Sequence, residues 1–443
     1  MTDSMNLITA QITFLDTCVV LVHIPNDCYP FFVQPILRIL FGESYGSDSH
    51  STAWTDRHDF LNLSITPIGC SLICSTALAD KHLRSLANQF NNLLTNTKSK
   101  TKPATIEISH DEYTAIQVEG QGLDAGQRVL DLTGPLAMAG ISIFFVTSYF
   151  CDYILVPTKS RHIVTTTLQQ RGFVFSKEAD AYVSQLSPTL QHSPVHERPQ
   201  TASSSGSEGR SWSQSVPTTP PAKDIPELQI RTFTKLMKNG IEPIVKPKLR
   251  LVSCAAGRDF CAKDRDKLKN DLMQVLLATN AHSATNGARP ESRQDTGLGI
   301  QHLDPDDAQD FSAIFLSVTL SEEPISIFME ERLLPRLAST LLCSKGAEDI
   351  LVPIILDLRS LGWTATGIVG GVAGRLSQGP VSITGRLELE GSVSPQGIGR
   401  DEEPVEISFL SSAKAGSVIV RADQLNQAVR ALQMGMEEVQ GRK

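Results

Sequence analysis

The sequence predicts an α+β fold in which one strand–helix–strand–strand–helix unit recurs four times. Three observations predict it. Apolar residues switch between a period of two and a period of 3.6, in the same order, in four successive stretches. A stretch rich in Ser, Pro, Gly and Thr divides the second copy from the third. At 443 residues the chain is also too long for one ordinary domain.

In the first copy, residues 1–102, DTCVVLVHI from Asp16 reads as a strand and PFFVQPILRILF from Pro30 as a helix. FLNLSIT from Phe60 and CSLIC from Cys70 follow as strands, and STALADKHLRSL as the second helix; ATIEIS from Ala104 supplies a closing strand. The second copy, 103–180, repeats this with YTAIQVE from Tyr113, DAGQRVLDLTGPLAMAG from Asp124, ISIFFVT from Ile141, DYILVPTKSRHIVTTTLQQ from Asp152 and GFVFS from Gly172. The third, 226–346, has KLRLVSC from Lys248, AKDRDKLKNDLMQVLLAT from Ala262, AIFLSVTL from Ala313 and ISIFMEERLLPRLASTLL from Ile325, with a loop insert at 280–305. The fourth, 347–443, has ILVPIILDL from Ile350, GIVGGVAGRL from Gly367, VEISFLSS from Val405 and GSVIVRADQLNQAVRAL from Gly416, with an insert at 377–404. Each copy is a split βαβ sandwich, a sheet with helices on one face. Such a unit leaves the other face bare, so four copies predict two tandem pairs. Residues 181–225 are too poor in apolar side chains to offset ordering entropy and read as a disordered linker. Within it Ser187, Ser193 and Thr219 precede proline and suit a proline-directed kinase.

Net charge is −8 and pI about 5.7, which argues against general nucleic-acid binding, since phosphate neutralisation needs a basic face. No apolar run reaches the ~20 residues that span a bilayer. The start, MTDSMNLITAQ, lacks a basic stretch followed by an apolar one. The expectation is a cytoplasmic protein with no membrane partner. The eight cysteines form no CxxC pair; Cys70 and Cys74, on one face of a strand, read as reduced packed thiols rather than metal ligands. There is no GxxxxGK[ST], GxGxxG after a strand, HExxH or GxSxG, and GIVGGVAG lacks the Lys-Ser/Thr of a phosphate loop. DPDDAQD from Asp304 lacks the Gly and closing Glu of a calcium loop. The chain therefore reads as non-enzymatic, without cofactor.

GPLAMAGISIFFVTSYFCDYILV, with QPILRILFG, LNLSITPIGCSLIC and LGWTATGIVGGVAG, resembles the tandem ACT-domain proteins of the cytosolic arginine-sensor (CASTOR-like) family, which regulate the TOR pathway. The resemblance implies four ACT-like, ferredoxin-like βαββαβ units and a free amino acid bound between the second and fourth. It implies a regulatory protein complex as partner, and exposed sheet edges add the expectation of a homodimer. Carried over, the ligand contacts are Ser142 and Ile143; then Gly362, Thr366, Gly367 and Ile368; then Ser412, Ala413 and Gly416. The residue types suit the task. A helix N-terminus offers free N–H groups and a positive dipole end to a carboxylate. Gly367 lets a ligand approach the backbone, Gly370, Gly371 and Gly374 keep the helix narrow, and Ser142 offers a hydroxyl. The family's acidic residue at the last hairpin tip is here Gly416, and its glutamate before GIV is Ala365. A buried guanidinium without a carboxylate costs several kcal/mol, so the ligand expected is a neutral or acidic amino acid, or none, rather than arginine. Two other readings stand: a constitutive ACT scaffold that has lost its ligand, and a regulatory subunit of an amino-acid biosynthetic kinase.

Overall fold

The computed structural model describes residues 11–42, 53–95, 105–119, 125–176, 222–283, 314–378 and 405–441, with 258, 338, 344, 345, 347 and 348 excepted. Its elements follow the order read from the sequence. The first run is β1 (Gln11–Ile24), α1 (Tyr29–Phe41), β2 (Phe60–Thr66), β3 (Gly69–Ser75), α2 and β4 (Glu107–Ile108); α2 is Thr76–Ala79, a π-turn Asp80–Arg84 and Ser85–Thr95 in succession. The second is β5 (Tyr113–Glu119), α3 (Ala125–Met138), β6 (Phe144–Thr147), β7 (Asp152–Pro157), α4 (Arg161–Gln169) and β8 (Val174–Phe175). Then come α5 (Ile225–Lys238) and β9 (Pro243–Val245), and the third run: β10 (Leu251–Ala256), α6 (Ala262–Ser283), β11 (Leu316–Ser321), β12 (Ser326–Glu330), α7 (Leu334–Leu337) and β13 (Leu341–Cys343). The last is β14 (Leu351–Asp357), α8 (Ile368–Ser377), β15 (Ile407–Ser411), β16 (Ala415–Arg421) and α9 (Leu425–Gln440).

The expected pair of one-sided sheets is instead one closed barrel. Its strand order is β2-β3-β1-β5-β7-β6-β15-β16-β14-β10-β12-β11, returning to β2. The join between β10 and β14 is the single pair Leu251↔Leu351. The physical reason lies at the edges. The closing strands β4 and β8 are two residues long, too short to cover the 14-residue β1. The remainder of β1 pairs with β5 across a bulge between Phe14 and Cys18. Closure satisfies the edge N–H and C=O groups that separate sheets would expose, and it leaves the short strands β4, β8, β9 and β13 as the remaining edges.

Alternation along each strand sorts side chains into three cores. On β2, Leu61, Leu63 and Ile65 point outward with Val20, Leu72, Ile327 and Met329 beneath α1, α2 and α6. Ile154, Val156, Phe409 and Val418 form the matching outer core under α3, α8 and α9. The inner core holds Leu21, Phe60, Tyr153, Phe315, Phe328, Leu410 and Ile419.

Cys254 and Cys343 face each other across β10 and β13 and are bonded, a pairing the sequence reading did not make. Cys70 and Cys74 are free and buried. Helix α5 begins at the last residue assigned to the linker, and neither it nor β9 was anticipated; nor was β13, which takes up the end of the stretch from Ile325 that reads as helix in the sequence. Ser187, Ser193, Thr219, the DPDDAQD stretch and most of both inserts lie outside the described residues.

Candidate functional site

Strands β6 and β15 join the second and fourth runs. Their ladder contains one residue pair, Val146↔Leu410. On either side of it the seam is held by hydroxyls: Phe145 N–H donates to Ser411 Oγ at 3.0 Å, and Phe409 N–H to Thr147 Oγ1 at 3.0 Å.

Ser142 and Ile143 precede β6 rather than opening it. α3 ends in a left-handed Gly140 (φ 74°), with Ile141 N–H returning to Leu136 O at 3.0 Å, and this cap uses the residues the sequence reading placed in the strand. Ser142 is buried. Across the seam, the loop from Leu358 to Gly367 leads from β14 into α8. Gly367 sits at φ 83° as the N-cap of α8 and supplies no side-chain acceptor to the helix's first N–H groups. α3 and α8 pack antiparallel, because a Cβ on Gly370 would lie 3.3 Å from Thr133 Oγ1 and one on Gly374 would lie 3.3 Å from Leu130 Cδ1. The amino end of α8, with Gly367 and Ile368, therefore lies at the carboxyl end of α3, from which Ser142 and Ile143 emerge.

The remaining predicted residues are placed as follows. Gly362 has open space where a Cβ would stand. Ser412 closes the β15–β16 turn, its N–H donating to Ala415 O at 2.8 Å. Ala413 N–H points across the barrel to Ser71 Oγ at 2.8 Å. Gly416 pairs with Leu356 and Ser411 in the ladders, and a Cβ there would meet the Phe409 ring at 3.4 Å and Leu358 Cδ1 at 3.6 Å. Beside it Lys414 is buried, bonded to Glu107 at 2.8 Å and lying 4.7 Å from the Trp363 ring centre. Asp152 holds in the second run the ladder place of Gly416. It is buried and accepts from Arg128 Nε at 2.6 Å; burial nevertheless raises its pKa above the ordinary carboxylate value.

The residues sequence reasoning missed belong to α5. Thr232 Oγ1 donates to Gly367 O at 2.9 Å and Lys235 Nζ to Thr366 O at 2.7 Å. A Cβ on Gly371 would stand 2.2 Å from Thr232 Oγ1, and one on Gly367 2.9 Å from Leu228 Cδ1. The glycines of GIVGGVAG thus seat α5 and α3 against α8, where the sequence reading assigned Gly367 to ligand approach. A signal was present: Asp224 caps Glu227 N–H and Glu227 Oε2 accepts from Lys223 N–H, a capping pattern legible in KDIPE.

A cavity of about 250 Å³ lies between Arg84, Glu107, His110 and Trp363, beside the partners of Lys414, and another of about 390 Å³ lies between Val245, Pro247, Leu425 and Val429. Among the described residues no helix is long and apolar enough to cross a membrane.

Comparison with known proteins adds the following. No curated protein sequence matches the chain. Among solved structures it is similar to an aspartate kinase from Synechocystis, at 10% identity and a TM-score of 0.28, covering 97% of this chain and 56% of that one. It is also similar to a protein from Agrobacterium tumefaciens, at 15% identity and a TM-score of 0.24, covering 42% of this chain and 98% of that one. The chain thus spans little more than half the length of the aspartate kinase. Residues 108–170, which hold β5, α3, β6, β7 and α4, match the family model of the ACT domain, so the chain contains an ACT domain, commonly a regulatory module that binds amino acids.

Proposed function

We propose that this chain is a non-enzymatic regulator built of four ACT-type units, one per strand–helix–strand–strand–helix run, that takes a free amino acid at the β6–β15 seam. The observation that carries the reading is the incomplete ladder of that seam beside the uncapped amino end of α8. One residue pair leaves main-chain groups around Ser142 and Ile143 outside the sheet, where an α-ammonium finds carbonyls and a hydroxyl. The first-turn N–H groups of Ile368 and its neighbours, with the positive end of the helix dipole, suit the α-carboxylate. The ACT match supports the reading because it supplies one wall of the seam.

The side-chain end of the site argues for selectivity. Gly416 and Ala365 offer no carboxylate, and Gly416 is flanked by Phe409 and Leu358. A guanidinium there is left unpaired, at a cost of several kcal/mol, so a neutral side chain fits better than arginine. The CASTOR-like resemblance extends the reading to a cytoplasmic protein whose ligand state alters a surface seen by a partner complex in TOR-type signalling. That requires the ligand to prefer one conformation.

A thermal-shift screen of the free amino acids, followed by calorimetry, tests this. The expected result is a raised melting temperature with at least one neutral amino acid, since a ligand of the native state stabilises it. Micromolar binding of arginine contradicts the selectivity argument. A flat response to all of them favours a second reading, the constitutive scaffold, which the packing of Leu228 and Thr232 against Gly367 and Gly371 supports.

A further inference from the structure

We infer that Lys235 and Thr232 are positioning residues for the seam, holding the Thr366–Gly367 turn from outside it, so that docking of α5 is part of ligand recognition. The inference rests on the seam being the ligand site.

The argument is one of peptide geometry. In a trans peptide the C=O of one residue and the N–H of the next point in opposite directions. Lys235 draws the Thr366 carbonyl toward α5, which turns the Gly367 N–H away from α5. Thr232 engages the Gly367 carbonyl together with Gly371 N–H, which directs the Ile368 N–H outward from the start of α8. Neither N–H has an acceptor among the described residues, so both remain available at the amino end of α8. Glycine at position 367 holds this turn without strain, at φ 83°.

The contact is built for this rather than for packing alone. Leu228 packs with Ala137 at the end of α3 and against Gly367, so α5 spans both walls of the seam. The side of α5 that meets α8 sets Gln229, Thr232 and Lys235 among Ile225 and Leu228, so polar groups stand inside an otherwise apolar contact. Gln229 is fully buried; its Nε2 donates to Gln378 Oε1 at 3.1 Å, and its Oε1 has no hydrogen-bond partner among the described residues. Lys235 is desolvated, which lowers its pKa. Phe233 and Leu236, at neighbouring positions around the helix, anchor it in the outer core. Beyond them Asn239 and a left-handed Gly240 (φ 63°), with nothing where its Cβ would be, join α5 to β9. These apolar contacts seat α5 independently of the two hydrogen bonds to the turn.

The test uses the full chain and two substitutions at one position. Lys235→Met keeps the apolar stem and loses the donor; Lys235→Arg keeps a charged donor. Amide hydrogen exchange is followed in the ligand-free protein, and affinity is measured for whichever proteinogenic amino acid most raises the wild-type melting temperature. Expected for Lys235→Met is about tenfold faster exchange in residues 366–371, the size of one charged hydrogen bond, with 61–66 and 316–321 unchanged. Ligand affinity falls by a similar factor and Lys235→Arg restores both. Unchanged exchange in 366–371, or a rise shared equally by the β2–β11 strands, overturns the inference. A panel in which no amino acid binds removes the seam as a ligand site, while the exchange result still decides whether α5 holds the turn.

Discussion

The barrel is closed by two seams of the same topology and opposite construction. Where β2 meets β11, six residue pairs run in register from Phe60↔Ser321 to Ile65↔Leu316. On the inner face Asn62 Nδ2 donates to Ser317 Oγ and Thr319 Oγ1, both at 3.1 Å, and Ser64 Oγ donates to Asn62 Oδ1 at 2.7 Å. Where β6 meets β15, one pair and two hydroxyl-caught N–H groups serve instead. A complete ladder with a satisfied polar network under it fixes one register. A hydroxyl-mediated join leaves main-chain groups for a guest. The fold thus spends rigidity on one seam and keeps the other adaptable, and the ACT match falls on the adaptable side.

The contrast is open to breakage at four places, in falling order of expected effect. Asn62→Ala takes one partner from each of three buried hydroxyls, leaving Ser64 and Ser317 only each other, and should lower stability by about 3 kcal/mol, read from the urea midpoint; a loss below about 1 kcal/mol would show that the network does not hold the firm seam. Gly371→Ala puts a Cβ 2.2 Å from Thr232 Oγ1 and should cost about 2 kcal/mol through displaced α5. Gly370→Ala, meeting Thr133 at 3.3 Å, should cost less, and the reverse order of melting temperatures would contradict the seating of α5.

The third concerns His23, on β1 near Lys414 of the adaptable seam's hairpin. Burial lowers its pKa to about 4; Glu107 opposes this, Lys414 and Arg359 add to it, and Asp357 opposes it. Between the unfolded value of 6.5 and about 4 the unfolded chain holds the proton and the folded chain does not. His23 therefore contributes fully above pH 6.5, and stability falls as pH drops toward 4. His23→Gln should flatten the slope of unfolding free energy over that range; an unaltered slope means the histidine is not held neutral. Last, Ser411→Ala leaves Phe145 N–H without its acceptor and should cost about 1 kcal/mol. A loss equal to that of Asn62→Ala would erase the difference between the seams.

Strands bounded by turn residues were legible: FLNLSIT and YTAIQVE coincide with β2 and β5. Their period-two pattern is local and survives any tertiary arrangement. Closure was not legible, because which edge meets which is decided by residues hundreds apart in sequence, and the same alternation serves a one-sided sheet. Asn62 shows the consequence. In a one-sided sheet it faces water; in the closed ring it is fully buried and must be bonded. Helix α5 carried its own start and stop signals, yet followed a stretch with too few apolar residues to fold. In the candidate site, the sequence reading set Ser142 and Gly367 on facing walls, and the antiparallel packing of α3 and α8 brings both to one end of the helix pair. What it could not supply was the role of the glycines, since a glycine records that something comes close without recording what.

The cyclic strand order reverses after half a circuit: β2-β3-β1-β5-β7-β6 from the first part of the chain is followed by β15-β16-β14-β10-β12-β11 from the second, so each seam joins equivalent strands. The hairpin tips obey the same exchange. Ala413 N–H reaches Ser71 of β3, and Tyr149 N–H reaches Ser326 of β12, both at 2.8 Å. The polypeptide is in effect a dimer joined end to end, with both interfaces preserved. Two co-expressed pieces divided before α5 should find each other without the covalent tether, and their complex should gape first along β6 and β15, like a shell hinged at its firmer side.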